Sequence, residues 1–349
     1  MTTSESHLKQ EILEQPDVLR RLLAEERSTI RRVAQAIRHY NPHYIMLAAR
    51  GSSDNAARYG QYLFGTVNRM PVALAAPSLY TLYQTPPRMT GSLVIAISQS
   101  GQSPDIVAVI EEGRQQGALT VAIVNDPDSP LAQAAEYTIC LHAGLEQSVA
   151  ATKTYTASLA AIAMLSAAIA ESDEYLHAIE AMPAAVAQVT AQADAIIRAS
   201  ERYRYMEACV VISRGYNYAT AYEIALKLKE LTYILAEPYS TADFQHGPLA
   251  LVAKGFPVLS AVSQGPMVEE LTEFLAELKQ RGAELVIISA HEPALNLAQT
   301  PLRLPPDIPG WLSPVVAVVP GQLMALGLAI AKGYDIDQPR GIHKVTLTE

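Results

Sequence analysis

Cysteine is scarce in this sequence: Cys140 and Cys209 are the only two among 349 residues, and each lies in an apolar run. Apolar runs of this kind predict strands, in which a thiol is more often buried than paired in a disulfide or bound to a metal. The eight histidines are scattered and lack the paired spacing of metal ligands. The sequence therefore predicts no disulfide, no metal site and no cofactor.

Basic residues and long apolar runs are also few. The net charge of −9 and the pI near 5.4 argue against a sequence-independent nucleic-acid surface. No uninterrupted apolar run reaches the length of a membrane span, and the most apolar one, around 157–170, predicts a buried alanine-rich helix. The N-terminal run MTTSESHLKQEILEQPDVLRRLL is charged and amphipathic, unlike a secretory signal. We expect a soluble cytoplasmic protein without nucleic-acid or membrane partners.

The chain repeats itself. Residues 44–63 match 208–228, LVIAISQSG matches FPVLSAVSQG, and GALTVAIVND matches GAELVIISAH. Gly51 aligns with Gly215, Ser98 with Ser263 and Gly117 with Gly282, so the offset is 164 or 165 residues throughout. Three successive matches at nearly one offset indicate a tandem duplication, and the length of the chain also predicts two domains.

Short β-branched runs alternate with helix-length amphipathic segments in each half, for example at 104–116 and 267–281. This alternation predicts parallel βαβ units with helices on both faces of a sheet. The predicted fold class is α/β, with two tandem domains of flavodoxin-like, three-layer αβα type. We expect five segments: N-terminal helices (1–40), a first domain (41–175), connecting helices (176–200), a second domain (201–336) and a C-terminal tail (337–349).

The run ISQSGQSPD places several hydroxyl and amide side chains directly after a predicted strand. Backbone N–H groups and the dipole at a helix N-terminus favour a phosphate, and glycine at 101 lets the backbone approach it closely. The alternative is an ordinary strand-to-helix turn with a serine cap. The candidate phosphate donors are Ser98, Gln99, Ser100 and Ser103.

The second half of the chain serves as an internal comparison for this motif. Gly265 lies opposite Ser100, and nothing there matches the hydroxyl density of the first half. The preceding turn carries Ser52 and Ser53 in the first half, where the second half has Tyr216 and Asn217. We infer that only the first half binds phosphate.

A charged stripe follows in the second half. Glu223, Lys227 and Glu230 are spaced i, i+4 and i+7, so they share one face of a helix. A solvent-exposed ladder of charges is one explanation. The surrounding residues, at 224–226, 228 and 231–235, are mostly apolar and favour a buried helix whose charges face a cleft, which is suited to acid/base chemistry.

After this helix the sequence predicts a loop that carries Glu237, Ser240, Gln245 and His246. His246 precedes Gly-Pro, so its imidazole is either presented to a ligand or structural. Lys344 lies close to the C-terminus, where a solvated tail lysine is the simpler interpretation.

Four segments then resemble a known family in the same order: ISQSGQSPD, AGLEQSVAATKTY, EIALKLKELTYILAEPYSTADFQHGPLAL and KGYDIDQPRGIHKVTLTE. They are similar to the tandem sugar-isomerase (SIS) domains of the isomerase half of glucosamine-6-phosphate synthase. They are equally similar to its glutaminase-free relatives, the SIS-type amino-sugar-6-phosphate deaminases. The resemblance covers nearly the whole chain from about Gln10 and implies two tandem SIS domains.

The resemblance implies a role for each matching residue. Glu230 would move a proton between C1 and C2 of the sugar, with support from Glu223 and Lys227. His246 would assist ring opening, reaching the site from the partner subunit. Lys344 would lie on a tail that closes over the sugar and would engage the open-chain carbonyl. The residues implied to bind the substrate and its phosphate are Ser53, Ser98, Gln99, Ser100, Ser103, Val149 and Ala151.

Two departures from the synthase pattern shape the expected function. Ala151 stands where the synthase has a serine, so one contact to the sugar or its phosphate is expected to be lost or remodelled. No cysteine precedes Cys140, so we expect no glutamine-hydrolysing domain, which begins with a nucleophilic cysteine. Without that ammonia source, release of ammonia from an amino sugar phosphate is favoured over synthesis.

The leading hypothesis is a deaminase/isomerase that converts glucosamine 6-phosphate to fructose 6-phosphate and ammonia. It would act as a homodimer with shared active sites and a sugar 6-phosphate as its substrate. An isomerase or deglycase of another phosphosugar, of the fructosamine 6-phosphate type, is the first alternative. A non-catalytic sugar-phosphate sensor is the second.

Overall fold

The computed structural model describes residues 6–344. Their contacts group them into two compact units, each built around one sheet. The first-sheet unit contains residues 17–146, 153–181 and 343–344; the second-sheet unit contains residues 6–16, 147–152 and 182–342. Since the two units interleave along the chain, the five-segment division stays a prediction.

The strands of the described chain are all parallel to their neighbours. In chain order they are β1 (Tyr44–Ala48), β2 (Val72–Leu74), β3 (Ser92–Ser98), β4 (Leu119–Val124), β5 (Tyr137–Cys140), β6 (Ala208–Ser213), β7 (Leu235–Ser240), β8 (Pro257–Val262), β9 (Glu284–Ser289) and β10 (Thr300–Arg303). One sheet has the order β2-β1-β3-β4-β5 and the other β7-β6-β8-β9-β10. The two orders are equivalent, which confirms the duplication and the flavodoxin-like fold.

Helices connect and cover these strands. They are α1 (His7–Leu13), α2 (Gln15–Glu25), α3 (Arg27–Tyr40), α4 (Gly51–Val67), α5 (Ser78–Thr81), α6 (Pro104–Gln115), α7 (Pro130–Ala134), α8 (Lys153–Ala170), α9 (Asp173–Glu180), α10 (Met182–Thr190), α11 (Ala193–Ser200), α12 (Tyr218–Thr232), α13 (Thr241–Gln245), α14 (Val268–Gln280), α15 (Glu292–Leu295) and α16 (Ser313–Lys332). Short 3₁₀ turns lie at Glu201–Tyr203, Gly215–Asn217 and Pro248–Leu251.

The central strands are buried along their whole length. Every residue of β3, β4 and β8 is buried. Strands of a parallel sheet covered on both faces are continuously apolar rather than alternating, and their sequences follow this rule. The carboxyl ends of these buried strands are therefore fixed positions from which the following loops begin.

The prediction of a loop after α12 is wrong in part, because the segment contains β7 and α13. The sequence of β7, LAEPYS, has no β-branched residue and includes Pro238. A proline is tolerated there because β7 is the edge strand and pairs only with β6. Pairing across the sheet, which the local sequence does not encode, makes this segment a strand.

Two helices, α8 and α16, are long and apolar enough to span a membrane, judged by length and composition alone. The sequence predicted a buried helix only for the first of these two segments. In the structure 83% of the apolar window of α8 and 89% of that of α16 is buried within the protein. A helix that is apolar on all sides is covered by lipid or by protein, and here the protein covers both helices.

Both cysteines are free thiols. Cys209 is buried in β6, and burial raises the pKa of its thiol to about 12, so it is neutral at physiological pH. Cys140 is the last residue of the edge strand β5 and is only half-buried; burial also raises the pKa of its thiol. The prediction of a buried thiol is confirmed for Cys209 and holds in part for Cys140.

Gly321 allows α16 to approach α12, the helix that carries the predicted acid/base stripe. A Cβ atom at Gly321 would lie 2.3 Å from a side-chain carbon of Ile224. Gly321→Ala therefore overpacks this contact, and we expect it to lower the free energy of unfolding by about 1–3 kcal/mol in urea denaturation.

Gly65 provides the matched control in helix α4, because no atom lies within 4 Å of the position its Cβ would take. Gly65→Ala is expected to leave stability unchanged or to raise it by up to about 1 kcal/mol. A Gly321→Ala protein as stable as the Gly65→Ala protein would contradict the close approach of the two helices.

Candidate active site

The serine-rich segments flank one crevice in the first-sheet unit. Strands β1 and β3 are neighbours, and the chain leaves them for opposite edges of the sheet. Such a switch point is where α/β sheets bind ligands. The turn at 49–53 follows β1 and the loop at 99–103 follows β3, and together they define what we call the first crevice. The second crevice is the equivalent place between β6 and β8, where residues 214–217 and 263–267 lie.

The loop after β3 is shaped by its own serines. The N–H of Gly101 donates to Oγ of Ser98 at 3.0 Å, and the N–H of Gln102 donates to Oγ of Ser100 at 3.3 Å. Gly101 has a φ of +64°, and a Cβ there would lie 2.2 Å from Oγ of Ser129. Only glycine fits this position. The predicted close approach of the backbone to a phosphate stays a prediction.

Ser103 occupies the N-cap position of α6, but its side chain makes no capping hydrogen bond and is half-exposed. The alternative role, in which the serine hydroxyl caps the helix, therefore does not apply to Ser103. Ser52 and Ser53 lie in the first turn of α4, on the β1 side of the first crevice, and are also half-exposed. The fold thus brings both serine segments to one crevice, as expected from the neighbouring strands.

The second crevice differs from the first in its chemistry. The sulfur of Met267 lies 3.1 Å from the position that a Cβ of Gly215 would take, so a thioether lies against the turn after β6. Asn217, the counterpart of Ser53, is buried and donates to Oγ of Ser313 at 2.6 Å. Of the two equivalent crevices, only the first therefore combines half-exposed serines on both of its turns.

The predicted charged stripe on α12 forms a compact cluster. Nζ of Lys227 lies 2.6 Å from Oε2 of Glu230 and 3.4 Å from Oε1 of Glu223. The side chains of Lys227 and Glu223 are 1% and 0% exposed, whereas that of Glu230 is 21% exposed. The interpretation of the stripe as a solvent-exposed ladder of charges is therefore wrong. One buried ammonium group orients a carboxylate that solvent or a ligand can reach.

His246 does not join this cluster within the chain. It follows α13, is exposed, and only its backbone N–H is engaged, donating to the Asp243 carbonyl at 3.1 Å. Its predicted neighbours have structural or surface roles: Ser240 caps α13, Gln245 donates to the Thr241 carbonyl, and Glu237 lies 3.9 Å from Lys229. Among the described residues, no hydrogen bond orients the imidazole of His246.

Lys344, by contrast, is held by a buried carboxylate. Its Nζ lies 2.6 Å from Oε2 of Glu146, whose side chain is 0% exposed. The same carboxylate accepts from the backbone N–H and the hydroxyl of Thr154, at 3.1 and 2.8 Å, in the first turn of α8. A negative charge is favourable at that helix end. The interpretation of Lys344 as a solvated tail lysine is therefore wrong.

Val149 and Ala151 lie half-exposed in the 147–152 segment of the second-sheet unit. This segment is anchored from two sides. The carboxylate of Glu11 accepts from the backbone N–H groups of Gln147 and Ser148, and Gln322 donates to the carbonyl of Thr152 at 3.5 Å. The backbone that carries the two predicted contact residues is thus fixed by the N-terminal helix α1 and by α16.

A search against protein families finds two copies of one domain. The SIS domain matches residues 40–168 and 207–332, so that each match contains one sheet and the long apolar helix that follows it. The chain belongs to the SIS domain family.

The relatives of this SIS chain include a larger enzyme. The glutamine–fructose-6-phosphate aminotransferase (isomerizing) of Thermus thermophilus is 33% identical over 98% of this chain and 59% of its own length. The SIS chain thus spans about three-fifths of that relative. The C-terminal domain of the glucosamine-fructose-6-phosphate aminotransferase of Francisella tularensis superimposes with a TM-score of 0.87 at 28% identity, covering 96% of this chain and 98% of that one.

A second solved structure covers the same range. A chain from Silicibacter pomeroyi DSS-3, provisionally described as a phosphosugar isomerase, is 33% identical, with a TM-score of 0.86 over 95% of this chain and 100% of its own. The homologues of this SIS chain are therefore the isomerase half of the aminotransferase, and its structural neighbours are phosphosugar isomerases.

Glu146 is a site residue of this SIS chain that the sequence did not predict. It belongs to the segment AGLEQSVAATKTY, in which only Val149 and Ala151 were predicted to contact the substrate. The available signal was an isolated carboxylate just before an alanine-rich helix, where the helix dipole favours a negative charge. Its partner Lys344 is 198 residues away, so no local pattern connects the two.

Proposed function

We propose that this chain is an amino-sugar-6-phosphate deaminase/isomerase that converts glucosamine 6-phosphate and water to fructose 6-phosphate and ammonia. The observation that carries the proposal is the Glu223–Lys227–Glu230 cluster, in which a buried lysine holds one accessible carboxylate. A positioned carboxylate is what proton transfer next to a carbonyl requires. The relatives' names, which include fructose 6-phosphate and glucosamine, support this class of substrate.

The reaction divides into two steps on the open-chain sugar. Glu230 removes the proton from C2 and returns it to C1, while one proton of the C2 amino group passes to O1, so that C1 becomes a CH2OH group and C2 becomes an imine. Water then adds to the C2 imine and ammonia leaves, which gives the ketone of fructose 6-phosphate. The serine segments of the first crevice bind the phosphate through backbone and hydroxyl donors. Lys227 keeps Glu230 in place throughout.

Lys344 is proposed to engage the open-chain carbonyl while Glu146 holds its side chain in position. It does so at C2, where the lysine nitrogen replaces the ketone oxygen with release of water to form a Schiff base, and hydrolysis of that Schiff base restores the ketone and frees the lysine. The protein is further proposed to act as a homodimer in which His246 serves the partner's site. This arrangement would give a role to an exposed imidazole without a hydrogen-bond partner among the described residues.

The test is ammonia release from glucosamine 6-phosphate, galactosamine 6-phosphate and fructosamine 6-phosphate by the purified protein, with and without glutamine. The proposal expects release from glucosamine 6-phosphate in the absence of glutamine. Release only from fructosamine 6-phosphate would indicate a deglycase. Tight binding of a sugar phosphate without any turnover would indicate a sensor, and each of these two results would overturn the proposal.

Glu146→Gln tests the tether of Lys344 directly. The amide keeps the shape of the side chain but removes the charge that holds the ammonium group, so the lysine loses its fixed position. We expect kcat for glucosamine 6-phosphate to fall about 100-fold, because a displacement of about 1 Å costs that much. Steady-state kinetics at a fixed pH measure this loss.

Glu292→Gln is the matched control, since Glu292 forms an ion pair with Arg303 on the exposed surface. Its kcat is expected to remain that of the wild type. If Glu146→Gln also retained wild-type kcat and KM, Glu146 would not be a positioning residue for Lys344.

A further inference from the structure

We propose that Arg50 binds the phosphate group in the first crevice and that the buried carboxylate of Asp105 positions its guanidinium for this contact. The identity of the ligand as a sugar phosphate rests on the proposed function. Arg50 is the residue before α4, and Asp105 lies in the first turn of α6. Because β1 and β3 are neighbours, the pair spans the crevice that the serine segments flank.

The geometry leaves one edge of the guanidinium open. Nε and Nη2 of Arg50 each lie 2.8 Å from Oδ2 of Asp105. The side chain of Asp105 is 0% exposed, whereas 49% of that of Arg50 is exposed. Within residues 6–344, no acceptor is found for Nη1 of Arg50. An arginine held along one edge can donate with its remaining N–H groups to phosphate oxygens.

The charges of the crevice point to the same ligand. Arg50 is the only cation in the segments 49–53 and 98–105. The nearby acid Asp54 already pairs with Arg58 at 3.1 Å, so it does not neutralise Arg50. A phosphate monoester carries close to two negative charges at neutral pH, and hydroxyl and backbone donors supply no formal charge to match them. Arg50 adds cationic N–H donors, whose hydrogen bonds are about twice as strong as neutral ones, although Asp105 balances its formal charge.

The burial of Asp105 lowers the stability of the fold more than a purely structural ion pair would require. Its second oxygen, Oδ1, is buried without a hydrogen-bond partner among the described residues. A buried carboxylate with one unsatisfied oxygen is destabilising on its own. Its burial fixes the direction of the Arg50 side chain, which a mobile surface acid would not do.

The second half of the chain contains an equivalent ion pair in a crevice that is not predicted to bind phosphate. Arg214 and Glu270 occupy the equivalent positions of the second crevice and also form an ion pair. There both side chains are partly exposed, at 33% and 51%, and Met267 lies against the turn. An ion pair between the two turns is thus common to both crevices, whereas the buried acid and the serines on both turns belong to the first alone. Arg214 is therefore an internal control for Arg50.

The experiment measures the binding of inorganic phosphate by calorimetry, because this probe does not depend on the identity of the sugar. Arg50→Gln alone would leave a buried charge without its partner and could unfold the unit, so it is combined with Asp105→Asn. This double variant keeps the net charge of the pair. We expect it to bind phosphate at least about ten-fold more weakly than the wild type. Arg214→Gln is expected to stay within about two-fold of the wild type.

Three results would overturn the inference: wild-type affinity in the folded double variant, an equal loss in Arg214→Gln, or no phosphate binding by the wild type. A failure of the proposed function has a different signature, namely no turnover of any amino sugar phosphate while phosphate binding still depends on Arg50. With an active substrate, the double variant should raise KM and leave kcat nearly unchanged. That split is expected of a group that binds the ground state and the transition state equally.

Discussion

Replacing Glu230 with glutamine is expected to lower kcat about a thousand-fold while leaving KM close to that of the wild type. The amide has almost the same shape and still accepts a hydrogen bond from Lys227, so the substrate contacts remain. It cannot take up a proton, so the proposed transfer between C1 and C2 loses its base. Steady-state kinetics with glucosamine 6-phosphate measure both constants.

Glu237→Gln is the control for this substitution. Glu237 lies on β7 of the same unit and is about half-exposed, and within residues 6–344 its carboxylate is paired only with Lys229, at 3.9 Å. Its kcat and KM are expected to match those of the wild type. Turnover by Glu230→Gln within a few-fold of the wild type would remove Glu230 from the role of base.

Replacing Lys227 with methionine is expected to cost about 3–5 kcal/mol of unfolding free energy and to abolish turnover. Methionine fills nearly the same volume, so packing is preserved, but the carboxylate of Glu223 is left buried without its ammonium partner. Glu230 also loses the group that orients it. Urea denaturation followed by circular dichroism measures the loss of stability.

Lys229→Met separates this effect from the general loss of a lysine. Lys229 lies on the same helix two residues further on, is exposed, and its nearest carboxylate, on Glu237, is 3.9 Å away. Such a surface pair contributes about 0–1 kcal/mol, so the variant should be nearly as stable as the wild type. Equal stability of the two methionine variants would show that Lys227 is not a buried counter-ion.

The features that the sequence predicted correctly are those encoded within short segments or repeated between the halves. The stripe Glu223, Lys227 and Glu230 needs only the periodicity of one helix, and its burial followed from the apolar residues around it. The two serine segments are visible in the sequence, but their adjacency depends on β1 and β3 being neighbours, which the structure shows. Because the chain is duplicated, the alternation of strands and helices appears in both halves, and each half indicates the same fold.

The features that were missed depend on contacts between distant residues or on sheet pairing. Glu146 and Lys344 are separated by 198 residues, and Arg50 and Asp105 by 55, so neither pair has a local signal. The strand β7 lacks β-branched residues and exists because it pairs with β6. The membrane-like composition of α16 was overlooked because its glycine and proline residues interrupt the apolar run.

Proton transfer at the sugar carbon tests the central claim most directly. Fructose 6-phosphate is incubated with the protein in deuterated water, and deuterium at C1 is followed by NMR. The account predicts incorporation by the wild type without glutamine and none above background by Glu230→Gln. Equal incorporation by both proteins, or none by the wild type with fructose 6-phosphate or glucosamine 6-phosphate, would contradict it.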